Sequence, residues 1–364
     1  MTISIRFGAD APHLTGRRSF LLASASSLAL AACGGGSSGG GSTNLTATVT
    51  TLAGSGAAGS SDGTGSAATF FQTVGIAVAP SGDVYVCDNG NNLIRKITSM
   101  GVVTTFAGAG GSGGSFQGPA GVAVDGSGNV FVADAGNNLI RKITPSGVVS
   151  TFAGTGAAGS ADGTALAATF NNPTGVAVDP AGNVYVADRI NNLIRKITAA
   201  GAVSTLAGSG AAGASDGVGV AATFNYPQGL AVDSSGNVFV ADGYNHKIRK
   251  ISPIGIVSTL AGTGSIGSTD GAGAVARFNT PYAVTVSADA SVVYVGDTSN
   301  HTVRKITSAG IVSTIAGSAL SLGDVDGVGS VARFHFTEGI ALDASGNLFV
   351  SDFGNNKIRK ITFS

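Results

Sequence analysis

One stretch, Gly121 to Gly154, reads GVAVDGSGNVFVADAGNNLIRKITPSGVVSTFAG and recurs with light edits to the C-terminus. Repetition at this period constrains a fold more than composition does. Each copy must be one small unit, and units that cannot bury their own apolar faces must stack. The copy holds four runs, GVAVD, NVFVAD, LIRKIT and GVVSTFAG, rich in Val, Ile, Phe and Thr and separated by Gly, Asn, Asp and Pro. That is strand-and-turn chemistry. Asp-Gly-Ser-Gly-Asn and Thr-Pro-Ser-Gly make tight connections. The spacing predicts four antiparallel strands per copy, a small sheet whose first two strands are apolar on both faces.

Further copies start at Gly75, Gly175, Gly229, Ala283 and Gly339, with the register marked by Arg95, Arg141, Arg195, Arg249, Arg304 and Arg359. The sixth copy stops after its third strand. Thr46 to Gly54, TATVTTLAG, matches the missing fourth run. The N-terminal strand is therefore expected to complete the last sheet and close a ring, which removes the open end of a linear stack. The expectation is an all-β, six-bladed β-propeller over residues 46–364, with its last blade closed by the N-terminal strand.

GNVYVADxxNNLIRKI followed by GxVSTLAG resembles the NHL repeat family of six-bladed propellers, over residues 46 to 364. The resemblance implies the fold. It leaves function open, because the family includes binding domains, RNA binders and a few lyases.

Residues 1–32 read as an export signal. Gly16-Arg17-Arg18-Ser19-Phe20-Leu21 resembles a twin-arginine pattern, and Ser19 to Ala32 is apolar but too short to span a bilayer. Leu30-Ala31-Ala32-Cys33 resembles a bacterial lipobox, which implies lipidation of Cys33. Residues 33–45 then hold the lipidated cysteine and a Gly/Ser tether. The expected location is outside the cytoplasm, anchored at the cell envelope, periplasmic or on the outer surface, with membrane contact only through the lipid. Of 20 basic and 20 acidic residues, 17 and 19 remain once Arg6, Arg17, Arg18 and Asp10 are removed with the signal. That balance, with strand Arg-Lys pairs spread evenly, argues against nucleic acid. Cys87 replaces the Ala of the VAD pattern and reads as a buried thiol.

Between copies, Asp62, Asp162, Asp216, Asp270 and Asp326 are each followed by Gly and then by Ala and Phe at fixed spacing. They are expected to start a short helical turn, with Phe70 and its equivalents wedged between blades. The second copy keeps Phe116 without the Asp-Gly.

Asp88, Asp134, Asp188, Asp242, Asp297 and Asp352 end the second run of every copy. Calcium binding stays open for them, but their presence in all copies favours caps on their own turns, with Asn91 and its equivalents. His246, His301 and His335 invite a zinc site, since a lyase relative of the family uses zinc. Equivalent positions on adjacent sheets, about 10 Å apart, are too distant for one ion, so zinc is disfavoured. No cofactor and no catalytic residue is expected.

The repeats disagree chemically at a few positions near the axial mouth. Arg189, Tyr226, Gln228, Tyr244, Tyr282, His335, Glu338 and Phe353 are large or polar where Val74, Ala120, Ala135 and Gly136 are small. Glu338 is the chain's only glutamate. Aromatic rings with a few polar groups around a depression make a binding site. The expectation is a binding module for a glycan, peptide or envelope protein, with an uncharged or weakly cationic ligand, Tyr282 stacking, and Glu338 and Gln228 hydrogen-bonding. The alternative is a lyase or lactone hydrolase using the same pocket.

Overall fold

In the computed structural model of the chain, residues 46–108 and 115–364 are described. The stretches read above as an export signal, a lipobox at Cys33 and a tether lie outside them. Residues from Leu45 onward form one compact unit. It consists of six antiparallel sheets. Each blade runs from an inner strand a to an outer strand d. In blade 3 these are Pro173–Val178, Val184–Asp188, Leu193–Ile197 and Ala202–Ala207. The inner strands neighbour one another all the way round, the sixth against the first.

Closure follows the sequence. Strand Ala47–Ala53 pairs antiparallel with Lys357–Phe363, from Ala47 opposite Phe363 to Ala53 opposite Ile358. The N–H of Thr46 donates to the Ser364 carbonyl at 2.8 Å.

Apolar side chains collect into six clusters, each lying between two consecutive blades. Phe70 sits among Ile76 and Val86 of blade 1 and Ala341, Phe349 and Ile358 of blade 6. Phe170, Phe224, Phe278 and Phe334 are equally buried, and Phe116 nearly so. The wedge read from the repeat is therefore present. The inner strands approach to backbone contact. A Cβ on Gly175 would lie 2.4 Å from the Gln228 carbonyl oxygen, and one on Gly121 2.2 Å from that of Thr174. Glycine in this ring is required by space, not by a turn.

Three features differ from the sequence expectation. First, among the described residues five blades have a fifth, two-residue outer strand, such as Gly163–Thr164 against Val203 and Ala202. The Asp before it does not cap a helical turn. Asp162 accepts from the Thr205 N–H and hydroxyl and from the Arg195 guanidinium, and so clamps a bulge in strand d.

Second, the arginine that marks the register is buried. Arg195 is inaccessible to solvent, lies over the Phe170 ring at 5.2 Å, and joins Asp162 at 2.6 Å and Asp188 at 2.8 Å. Arg95, Arg249, Arg304 and Arg359 repeat this arrangement. Asp188 also accepts from the Asn171 N–H and from Asn191. Its carboxylate is thus filled by arginine, asparagine and a neighbouring loop, and is not an open calcium site. Burial pushes Asp297 and Asp352 up to about 6, with Arg304 and Arg359 among the groups that oppose it.

Third, the position after Asn191 staples each blade to the next. Asn192, in the left-handed region at φ 53°, accepts from the Tyr226 N–H at 2.9 Å. Asn92, Asn138 and Asn356 do the same for Gly118, Asn172 and Gln72. His246 and His301 replace the amide oxygen with Nδ1, accepting from the Thr280 and Phe336 N–H groups at 3.0 and 3.1 Å. An Nδ1 that accepts leaves the ring proton on Nε2. Burial lowers both imidazoles, and nearby His335 lowers His301 further. The recipients themselves have positive φ, 51° at Tyr226 and 65° at Phe336, which is strained for a bulky side chain. The staple offsets that strain.

Candidate functional site

The loops from strand b to c and from strand d to the next a meet on one face. Their residues pack by complementary size. Phe71 lies on Gly90, Gln117 on Gly136 and His335 on Gly354; a Cβ on any of these glycines would come within 2.7 Å of the overlying side chain. In blades 3 and 4 the bulk is reversed: small Asn225 faces the loop of Tyr244, and Asn171 that of Ile190, each loop amide donating to the Asn carbonyl. The small residues of blades 1 and 2 are thus partly covered. Phe71, which the comparison of repeats passed over, is 38% exposed.

The expected site residues fall into two groups. Tyr226 and Tyr244 stack, with ring centroids 4.8 Å apart and 19° between planes. The Arg189 guanidinium lies 5.1 Å over Tyr226 and donates to Asn172 Oδ1 at 2.9 Å. Arg189 is also felt electrostatically by Tyr282 and Glu338. Gln228 is 3% exposed and packs against Gly243. His335 and Phe353 stand apart from these. They belong to an aromatic group with Phe336 and His301, with His335 to Phe336 at 4.9 Å and Phe336 to Phe353 at 6.5 Å.

Tyr282 and Glu338 line a small axial cavity with Thr174, the glycine ring and the apolar side chains of the inner strands. Its volume is about 50 Å³, room for a few waters. A larger ligand must therefore sit in the mouth above. Burial pushes the Glu338 carboxyl up to about 8 against the opposing charge of Arg189. Burial also raises the Tyr282 phenol, and the nearby Glu338 raises it further. Both groups are thus largely protonated near neutral pH.

The hydrogen bonding at this mouth is incomplete. Gln228 Oε1 and Arg189 Nε are buried without a partner. Among the described residues, the Gln228 amide nitrogen, the Tyr282 hydroxyl and the Glu338 carboxyl also have no protein partner. Buried polar groups in proteins are normally bonded, so Gln228 Oε1 in particular needs explaining; Tyr282 and Glu338 are half-buried, and their polar ends can meet water. Burial of Gln228 could not have been read from the sequence, where it stands only as one of the positions at which the repeats disagree. Among the described residues, no group of three or more His, Cys, Asp or Glu is placed to hold a metal. His246 and His301 turn Nδ1 to backbone amides, away from any shared ligand position.

A closed ring of six blades with a polar axial mouth defines the class, a six-bladed β-propeller. Four of its six copies match the family model of the NHL repeat, over residues 74–97, 116–143, 170–197 and 224–251. The chain is 34% identical to human NHL repeat-containing protein 2 over 151 residues, 38% of this chain and 21% of that protein. It thus spans about a fifth of the length of that curated relative. An auxiliary nutrient binding protein from Bacteroides thetaiotaomicron superposes with a TM-score of 0.68 at 19% identity, covering 88% of this chain and 77% of the other. A gluconolactonase from Xanthomonas campestris superposes with a TM-score of 0.58 at 12% identity, covering 87% and 90%. Similarity at these identities concerns the fold.

Proposed function

We propose that the protein is a binding module for a glycan, peptide or envelope protein, that its site is the axial mouth, and that a lipid on Cys33 holds it at the cell envelope. The observation that carries the site is Gln228, a carboxamide almost wholly withdrawn from water yet bonded to nothing in the protein. Leaving such a group unpaired costs about 1–3 kcal/mol, an expense that a ligand's own hydrogen bond would offset. Tyr226 and Tyr244 supply ring area beside it. The fold is shared with a nutrient binding protein, in keeping with binding. Export and lipidation rest on Arg17-Arg18 and Leu30-Ala31-Ala32-Cys33.

Arrays of glycans and peptides probed with the purified protein test the site. For any hit, Tyr282→Ala should weaken binding by at least about 1 kcal/mol, roughly fivefold. Asp179 and Asp233 sit in the hairpins of the opposite face; if their substitution does the damage while Tyr282→Ala binds normally, the face is wrong. Cys33→Ala should abolish lipid labelling and membrane retention, and a variant still labelled and retained would refute the anchor.

A second reading, a lactone hydrolase or lyase, is favoured by one observation. A carboxyl pushed up to about 8 holds a transferable proton near neutral pH. It requires turnover of a lactone or glycoside that Glu338→Gln abolishes while leaving binding in place.

A further inference from the structure

We propose that the axial mouth reads a carboxylate on a polyhydroxylated ring, that is, a terminal acidic sugar of the uronic acid type; this rests on the binding-module reading above.

Charge at the mouth is the first argument. Five of the strand c arginines are each neutralised by aspartates at both ends of the guanidinium. Arg189 differs. Its neighbours are neutral: the Asn172 amide, the Tyr226 ring, and Glu338 without an ion-pair contact. The flanking acids, Asp188 and Asp242, are taken by Arg195 and Arg249. Among the described residues, Arg189 is therefore a cation with no ion-paired carboxylate of its own; its buried, unpartnered Nε–H is a feature it shares with Arg95, Arg195 and Arg249. Counting Glu338 as an anion makes the mouth neutral or acidic, as the sequence suggested. Partial withdrawal from water raises its carboxyl to about 8, so near neutral pH the charge of Arg189 predominates at the mouth. A planar guanidinium left with free donors matches a carboxylate geometrically.

Hydrogen bonding is the second argument. Beside Arg189, the Gln228 carboxamide, Tyr282 hydroxyl and Glu338 carboxyl offer donors and acceptors with no protein partners. Several such groups around one mouth fit a ligand with several hydroxyls better than a lone acid. Third, the axis beneath is too narrow for a chain to thread, because the inner strands touch at the glycine ring. The ligand is then a chain end, one ring resting in the mouth.

The test is calorimetric titration of the full-length protein in detergent at pH 6.5 and low salt, with glucuronate, galacturonate, glucose, galactose, glucosamine and N-acetylalanine as separate probes. One or both uronates should bind at least tenfold tighter than the matching hexose, and glucosamine should not bind. Added salt should weaken the uronate. Arg189→Gln should bring uronate and hexose to parity, and Arg189→Lys should keep part of the preference. Glu338→Gln should not strengthen uronate binding, because the carboxyl it replaces is already neutral; a gain of fivefold or more on this substitution would mean the carboxyl is ionised and would overturn the charge argument. Hexoses binding as tightly as uronates, with Tyr282→Ala still harmful, would sink the acidic-sugar inference while leaving the binding module intact. N-acetylalanine matching the uronates would sink the sugar part. Silence from all six probes would overturn the proposal, whatever the arrays show for other ligands.

Discussion

Replacing Gln228 with leucine separates a group kept for a ligand from one kept for the fold. The substitution holds bulk roughly constant at a site 3% exposed and removes a carboxamide that no protein group bonds. An unpaired buried polar group costs about 1–3 kcal/mol, so relief of about 1–2 kcal/mol is expected once the leucine is equally buried. For a folded unit of roughly 320 residues, an unfolding entropy of about 2.1 cal/mol/K per residue makes 1 kcal/mol worth about 1.5 °C. The Tm of the ligand-free protein should therefore rise by roughly 1.5–3 °C, while affinity for any ligand found at the mouth falls at least about fivefold. Differential scanning calorimetry and titration on one preparation read both quantities. A Tm that falls by 2 °C or more on substitution would show that the carboxamide supports the fold, through fixed waters if nothing else, and would remove the reasoning behind the site. Unchanged affinity would do the same from the other side.

Deleting residues 46–54 should unfold the last blade, because it exposes the edge of Lys357–Phe363 and removes Val49, a side chain worth about 1.5–3 kcal/mol, from the core. A permutant that joins Ser364 to Thr46 through a short Ser-Gly turn should melt within a few degrees of the parent, and circular dichroism melts of the two decide it. Acidification should destabilise the fold through His246 and His301: their folded pKa values lie below the unfolded one, so the unfolded chain binds more protons as pH falls through about 6.5, and stability is lost there. The double variant His246→Asn/His301→Asn keeps the acceptors, so its Tm should drop less than the parent's between pH 7.5 and 5; equal drops would refute the staple. Arg195→Met leaves Asp188 buried beside an apolar chain and should cost about 3–5 kcal/mol, read by urea denaturation; a loss under 1 kcal/mol would show that the pair is not the hub described here.

The ring, its closure and the Phe wedges were legible because they depend on period and apolar pattern, which a sequence displays directly. Arg195 was not. A charged residue inside LIRKI looks solvated, and only its three-dimensional neighbours, Asp162 and Asp188, explain its burial. Asp162 carried a turn signal in Asp-Gly, but its real partner is a bulge in strand d some forty residues later. The mouth was legible as a place, since Gln228, Tyr282 and Glu338 break the repeat. Its electrostatics were not. Glu338 counts as −1 in a sequence, and its charge is removed by enclosure that depends on neighbours from other blades. His335 and Phe353 were grouped with the mouth by register alone, while packing on Gly354 and Phe336 holds them in a separate aromatic cluster. Phe71 escaped notice because its bulk is the complement of Gly90, a relation between two loops of one blade.

The seam between Ala47–Ala53 and Lys357–Phe363 also sets a clock. The first of these strands is synthesised about 300 residues before its partner, which at roughly 5–20 residues per second is a wait of about 15–60 s. For that interval the segment is an orphan edge beside five growing blades, each free to offer it a wrong seat, because every strand c presents nearly the same Ile-Arg-Lys-Ile pattern. Its own composition is a partial answer. Thr48, Thr50 and Thr51 interrupt the apolar residues and keep it from being a sticky strand. The correct pairing is distinguished late: every other third strand pairs with the strand that follows it, whereas Lys357–Phe363 pairs with Ala47–Ala53. Specificity of assembly in this ring therefore comes from occupancy, with each earlier seat already filled by the strand that follows it in the chain.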